Sequence, residues 1–75
     1  MAKLPHLSGK EVIKALSKVG FQQLRQRGSH VIMSKQLPEG KTTLVVPNHK
    51  EIDIGTLAEI IRQSKLSRDE FLALL

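Results

Sequence analysis

Two turn signals confine the middle of this chain more tightly than any other feature. Gly28-Ser29 and Pro38-Glu39-Gly40 bracket one β-prone segment, His30-Val31-Ile32-Met33-Ser34-Lys35. A second such segment, Thr42-Thr43-Leu44-Val45-Val46, follows the second turn. Strands joined by connections this short pair as antiparallel neighbours. Proline suits the first central position of the second turn, and Pro47 ends the last strand because it has no N–H to give a sheet ladder. Phe21-Gln22-Gln23-Leu24-Arg25-Gln26-Arg27 carries no helix-period stripe and takes the place of a first strand. Its register stays open: a two-residue turn pairs Arg27 with His30, whereas a three-residue turn pairs Gln26 with His30.

Helices flank this meander. Ser8 and Glu11 form a capping box, with Leu7 and Val12 as hydrophobic staple. Val12, Ile13, Leu16 and Val19 make one apolar stripe, and Gly20 stops the helix. Asp53 caps a second helix, stapled by Ile52 and Leu57, whose stripe is Leu57, Ile60 and Ile61, widened by Ala58. Ser67 with Glu70, and Leu66 with Phe71, open a short third helix expected to run to Leu75. The expected fold is α+β, in the order α-β-β-β-α plus a short C-terminal helix. Its three-stranded antiparallel sheet carries helices on one face, the economical way to bury the stripes. This is the layout of double-stranded RNA-binding domains, and layout alone does not assign a function.

A chain of 75 residues makes one domain, expected over 1–75 with residues 1–7 as a lead-in. Its only aromatic residues are Phe21 and Phe71, so Leu, Ile, Val and Met must build the core. It has no cysteine, which excludes disulfides and thiolate metal sites. Met1-Ala2-Lys3-Leu4-Pro5-His6 has no apolar signal segment, and the longest apolar run, Phe71 to Leu75, is far too short to cross a membrane. The expectation is a cytoplasmic protein with no membrane partner.

Twelve Lys and Arg against seven Asp and Glu give a formal charge of +5. On a body this small such a charge attracts polyanions, although it also serves solubility. Lys10, Lys14 and Lys18 repeat at helical spacing on one side of the first helix. Such a stripe suits a polyanion or a solvated face.

The three histidines are the candidates for proton transfer near neutral pH. His6, beside Pro5, reads as a solvated lead-in residue, and His49, in Pro47-Asn48-His49-Lys50, as a loop residue. His30 follows a tight Gly-Ser turn and lies near Arg25 and Arg27, a setting in which an imidazole meets a phosphate. From spacing alone, a half-exposed strand histidine fits as well. Ser29 and His30 are not a nucleophile–base pair, because adjacent strand residues point to opposite faces unless a bend intervenes. No glycine-rich phosphate loop or paired-histidine metal motif occurs, and Glu39, Glu51 and Asp53 have no metal-ligand spacing. No cofactor or metal is expected.

Taken in order, Gly20-Phe21, Arg25, Gly28-Ser29-His30, Val46-Pro47-Asn48-His49, Ile54-Gly55-Thr56-Leu57, Ile60-Ile61-Arg62-Gln63 and Ser67-Arg68-Asp69-Glu70-Phe71 resemble the signature of the HicA toxins, also grouped as YcfA-like proteins. The resemblance covers the chain from about Ser8 to Leu75. It implies a fold like that of double-stranded RNA-binding domains and a toxin that cleaves messenger RNA, blocking translation. It implies neutralisation by a HicB antitoxin that covers the active face. The family's essential histidine falls on His30, and its histidine after the proline falls on His49. The Pro38-Glu39-Gly40 hairpin and the terminal helix depart from the pattern, away from the motif.

The expected chemistry is metal-independent attack of a ribose 2′-hydroxyl on the adjacent phosphorus, with His30 as base or acid. Arg25, Arg27 and Lys10 are expected on phosphate oxygens. The expected RNA contacts are Lys10, Lys14, Arg25, Arg27, Ser29 and His49. The alternatives are a non-catalytic RNA-binding module of the same fold, and an interaction protein whose basic face meets an acidic partner.

Overall fold

In the computed structural model residues 3–75 are described; Met1 and Ala2, which begin the expected lead-in, lie outside the described residues. Two residues of that lead-in belong to the core. Leu4 and Leu7 are buried, and the Leu7 carbonyl accepts from Ile52 N at 2.7 Å, tying the chain start to the loop before the second long helix.

Helix α1 spans Gly9–Ser17. Ser8 Oγ accepts from Glu11 N at 3.1 Å while the Glu11 carboxylate accepts from Ser8 N at 3.0 Å, completing the expected box. Val12, Ala15 and Leu16 are buried; Ile13 and Val19 sit at the margin of the core. Gly20 turns the chain with φ +100°, and Phe21 N reaches back to the Leu16 carbonyl at 3.2 Å. A left-handed backbone here favours glycine.

The strands are β1 (Gln22–Arg27), β2 (His30–Leu37) and β3 (Gly40–Pro47), antiparallel in the order β1-β2-β3. The second and third run further than their β-branched cores suggest. Arg27 pairs with His30, so the first turn has two residues. Gly28 has φ +57° while Ser29 does not have positive φ, the pattern of a II′ hairpin, whose twist matches the strands it joins. A bulge falls between Gln23 and Arg25. Val31, Met33, Leu44 and Val46 are buried on one face of the sheet, and the helices cover that face.

Helix α2 spans Ile54–Ser64, with Asp53 Oδ2 accepting from Thr56 N at 3.2 Å. Leu57, Ile60 and Ile61 go into the core, and Thr42 Oγ1 donates to the Gln63 carbonyl at 3.1 Å, fastening α2 to β3. Helix α3 spans Arg68–Leu72, stopping short of Leu75; Phe71 is its buried anchor. Lys18 Nζ donates to the Leu74 carbonyl at 2.8 Å, so the chain end lies against α1. Among the described residues no helix is long and apolar enough to cross a membrane.

Candidate functional site

Strand alternation divides the sheet into two faces of different chemistry. Val31 and Met33 point into the core, so His30 and Ile32 point the other way, towards the face no helix covers. Cross-strand partners share a face. Arg27, opposite His30, and Arg25, opposite Ile32, therefore stand beside them, and Val45 completes the second row from β3. Side chains directly opposite lie about 5 Å apart at Cβ, within reach of a guanidinium. His30, Arg25 and Arg27 are all exposed. Two guanidinium groups thus flank one imidazole at the hairpin end of an uncovered face.

No Asp or Glu occurs in any of the three strands, which hold Arg25, Arg27, Lys35 and Lys41. The carboxylates sit on the helices, their caps, the β3–α2 loop and the far β-turn at Glu39. Glu59, whose carboxyl is held below its ordinary value by hydrogen bonding from Arg62, belongs to α2. The expected charge is unevenly placed: the strands carry four cations and no carboxylate, while the other eight cations share the helices and loops with all seven acids.

Ser29 leads to a second cluster. Its carbonyl accepts from Asn48 N at 2.6 Å, which carries the β2–β3 register one residue past the strands. A hydrogen bond of 3.3 Å joins Ser29 Oγ and His49 Nε2. The His49 carbonyl in turn accepts from Gly9 N at 2.8 Å. A Cβ on Gly9 would stand 2.4 Å from the Pro47 oxygen and 2.6 Å from Asn48 Cα, so the start of α1 can approach this loop only as glycine. Ser8, Lys10, Asn48, His49 and Lys50 line an open depression of about 300 Å³ beside that contact.

The predicted residues thus fall into separate groups. Arg25, Arg27 and His30 come together. Lys10 joins Ser8 and His49 instead, because the start of α1 packs on the β3–α2 loop. Lys14 lines a different hollow with Glu11, Lys18 and the chain end. Lys18, expected in the same stripe, is held by the Leu74 carbonyl. His6 is exposed and faces Glu51, its Nδ1 3.4 Å from the carboxylate. Sequence reasoning missed Gly9, Asn48 and Lys50; glycine at the first position of a well-capped helix was the available signal for a close approach. Among the described residues no three His, Asp or Glu side chains are grouped to hold a metal ion.

Chemically, the uncovered face offers an accessible imidazole that can take or give a proton, with two fixed positive groups beside it and no competing carboxylate in the strands. That suits an anionic ligand whose charge increases during reaction. A comparison with curated proteins returns no match. Residues 9–66 match the model of a family described as the HicA toxin of bacterial toxin–antitoxin systems.

Proposed function

The chain belongs to the HicA toxin family, and on that premise we propose that it is an endoribonuclease that cleaves messenger RNA through His30 and so stops translation. The observation that carries this reading is the exposed His30 with Arg27 directly across the hairpin and Arg25 one pair along, on a face whose strands contain no carboxylate.

In the proposed reaction the ribose 2′-oxygen attacks the adjacent phosphorus. The O2′–P bond forms and the P–O5′ bond breaks, giving a cyclic phosphate and a 5′-hydroxyl. The proton lost from the 2′-hydroxyl passes through the His30 imidazole or solvent to the departing 5′-oxygen. Only RNA carries that hydroxyl, so DNA is not cut. Positioned proton transfer contributes about 10²–10⁴-fold. Arg25 and Arg27 supply further stabilisation by holding the phosphate oxygens as negative charge builds, with guanidinium geometry suited to paired contacts.

A HicB-type antitoxin is the proposed partner, covering the uncovered face and excluding RNA from it. The proposed place of action is the cytoplasm, where messenger RNA is translated.

The test is digestion of single-stranded RNA in the presence of a metal chelator. The wild-type chain should cut it, and His30→Ala should lose about 10²–10⁴-fold in rate. Arg25→Ala and Arg27→Ala should each lower kcat/KM by about 10- to 100-fold, as expected for a charge-assisted hydrogen bond. A His30→Ala chain as fast as wild type would remove the mechanism. A wild-type chain that binds RNA and leaves it intact would make this a binding module of the same fold.

A further inference from the structure

The depression lined by Ser8, Lys10, Asn48, His49 and Lys50 is a second basic feature at the same end of the sheet. It differs from the uncovered face in its makeup and its side. Ser29 belongs to the β1–β2 turn, and His30 opens β2 on the uncovered face. His49 is bonded to Ser29, and the loop that carries it is packed against the start of α1. Lys10, His49 and Lys50 therefore gather on the helix side of the hairpin end, while Arg27 and His30 occupy the other.

The cations of the depression have no carboxylate among its lining residues. Of the nearest acids in sequence, Glu11 stands at the edge of the depression with its carboxylate taken up by Ser8 N at 3.0 Å, and Glu51 faces His6. The helix N–H groups are not what the site offers. Gly9 N is taken up by the His49 carbonyl and Glu11 N by the Ser8 hydroxyl. Two ammonium groups, an imidazole and the polar Ser8 and Asn48 remain, an arrangement that takes a phosphate as a point charge.

We infer that the Lys10–His49–Lys50 depression binds a backbone phosphate of the RNA strand flanking the one cleaved at His30. This rests on the ribonuclease reading and adds a direction to it: the strand passes over the β1–β2 turn, from the uncovered face to the start of α1. The contact is to the backbone and carries no base preference. The Ser29–His49 hydrogen bond joins the two positions, so strand binding at the depression bears on the turn that presents His30.

Binding and cleavage separate this inference from the reading beneath it. Binding of a single-stranded oligoribonucleotide is measured against salt concentration with His30→Ala protein, which removes the proposed chemistry. Adding Lys10→Gln and Lys50→Gln should weaken binding and reduce the slope of log K against log salt by about 0.7, the value for one phosphate released from a single strand. A charge-matched control, Arg62→Gln with Lys65→Gln, removes two cations at the end of α2 and should leave the slope unchanged. As a second readout, the amide resonances of residues 8, 10 and 50 should shift when the oligonucleotide is added to His30→Ala protein. A Lys10/Lys50 variant indistinguishable from the control, with those resonances unmoved, overturns the subsite while leaving His30 chemistry standing. Wild-type cleavage by His30→Ala protein would instead overturn the chemistry, whatever the slopes.

Discussion

Gly9 and Gly28 show how single positions set the site in two different ways. At Gly9 the constraint is contact: a methyl would meet the Pro47 oxygen at 2.4 Å, and this neighbour is backbone. Gly9→Ala should destabilise the protein by about 1–3 kcal/mol, the usual cost of overpacking, read as a lower urea midpoint. At Gly28 a Cβ would meet nothing within 4 Å, and the constraint is the left-handed φ of +57° alone. Gly28→Ala should cost about 1–2 kcal/mol and Gly28→Asn less, since asparagine tolerates that region. Cap reasoning passed over Gly9, and turn reasoning placed Gly28 only in part. The Gly28-Ser29 turn was visible in the sequence, but whether Arg27 or Gln26 faced His30 was not. Ser29's φ is not positive and Gly28's is, and that choice belongs to the folded backbone.

Among the elements, the helices were the most legible, because their caps are local. Ser8 with Glu11 and Ser67 with Glu70 each put both partners of the box within one turn, so sequence spacing already fixes the geometry. The Ser67–Glu70 box also makes α3 sensitive to acid. Glu70 is held below its ordinary value of 4.5 chiefly by the backbone N–H of Ser67, then by the Ser67 hydroxyl. A carboxyl depressed on folding contributes stability above its ordinary value and loses it as pH falls through the folded one. The stability difference between wild type and Glu70→Gln should therefore shrink as pH drops below 4.5, measured as urea midpoints across that range. Strand β1 was the least legible element. All its residues are exposed, including Leu24 at 52%, so no alternation marks it, and its bulge between Gln23 and Arg25 has no sequence signal. The end of α3 at Leu72 also escaped, because Leu74 and Leu75 continue an apolar run although their N–H groups bond back three residues, to the Phe71 and Leu72 carbonyls, in a tightened last turn.

For the whole molecule, topology decides which cations act together. Arg25, Arg27 and His30 are close in sequence and share a hairpin, so their grouping was foreseeable. Lys10 meets His49 only because β3 returns to the hairpin end and its loop packs under α1. No local pattern contains that information. With every carboxylate outside the strands, association with single-stranded RNA should weaken steeply with salt, log K falling by about 0.7 per log unit of salt for each phosphate neutralised. A salt-independent affinity would mean the cationic sheet is not the RNA surface.

The proposed attack by the 2′-hydroxyl at His30 is tested most directly by the chemical identity of the cut ends. An RNA oligonucleotide is incubated with wild-type protein and chelator, in parallel with a copy bearing 2′-deoxyribose on the 5′ side of each cut. The account predicts 2′,3′-cyclic phosphate and 5′-hydroxyl ends from the first and no cutting of the second. Cleavage of the deoxy-substituted strand, or fragments bearing 5′-phosphate, would contradict it.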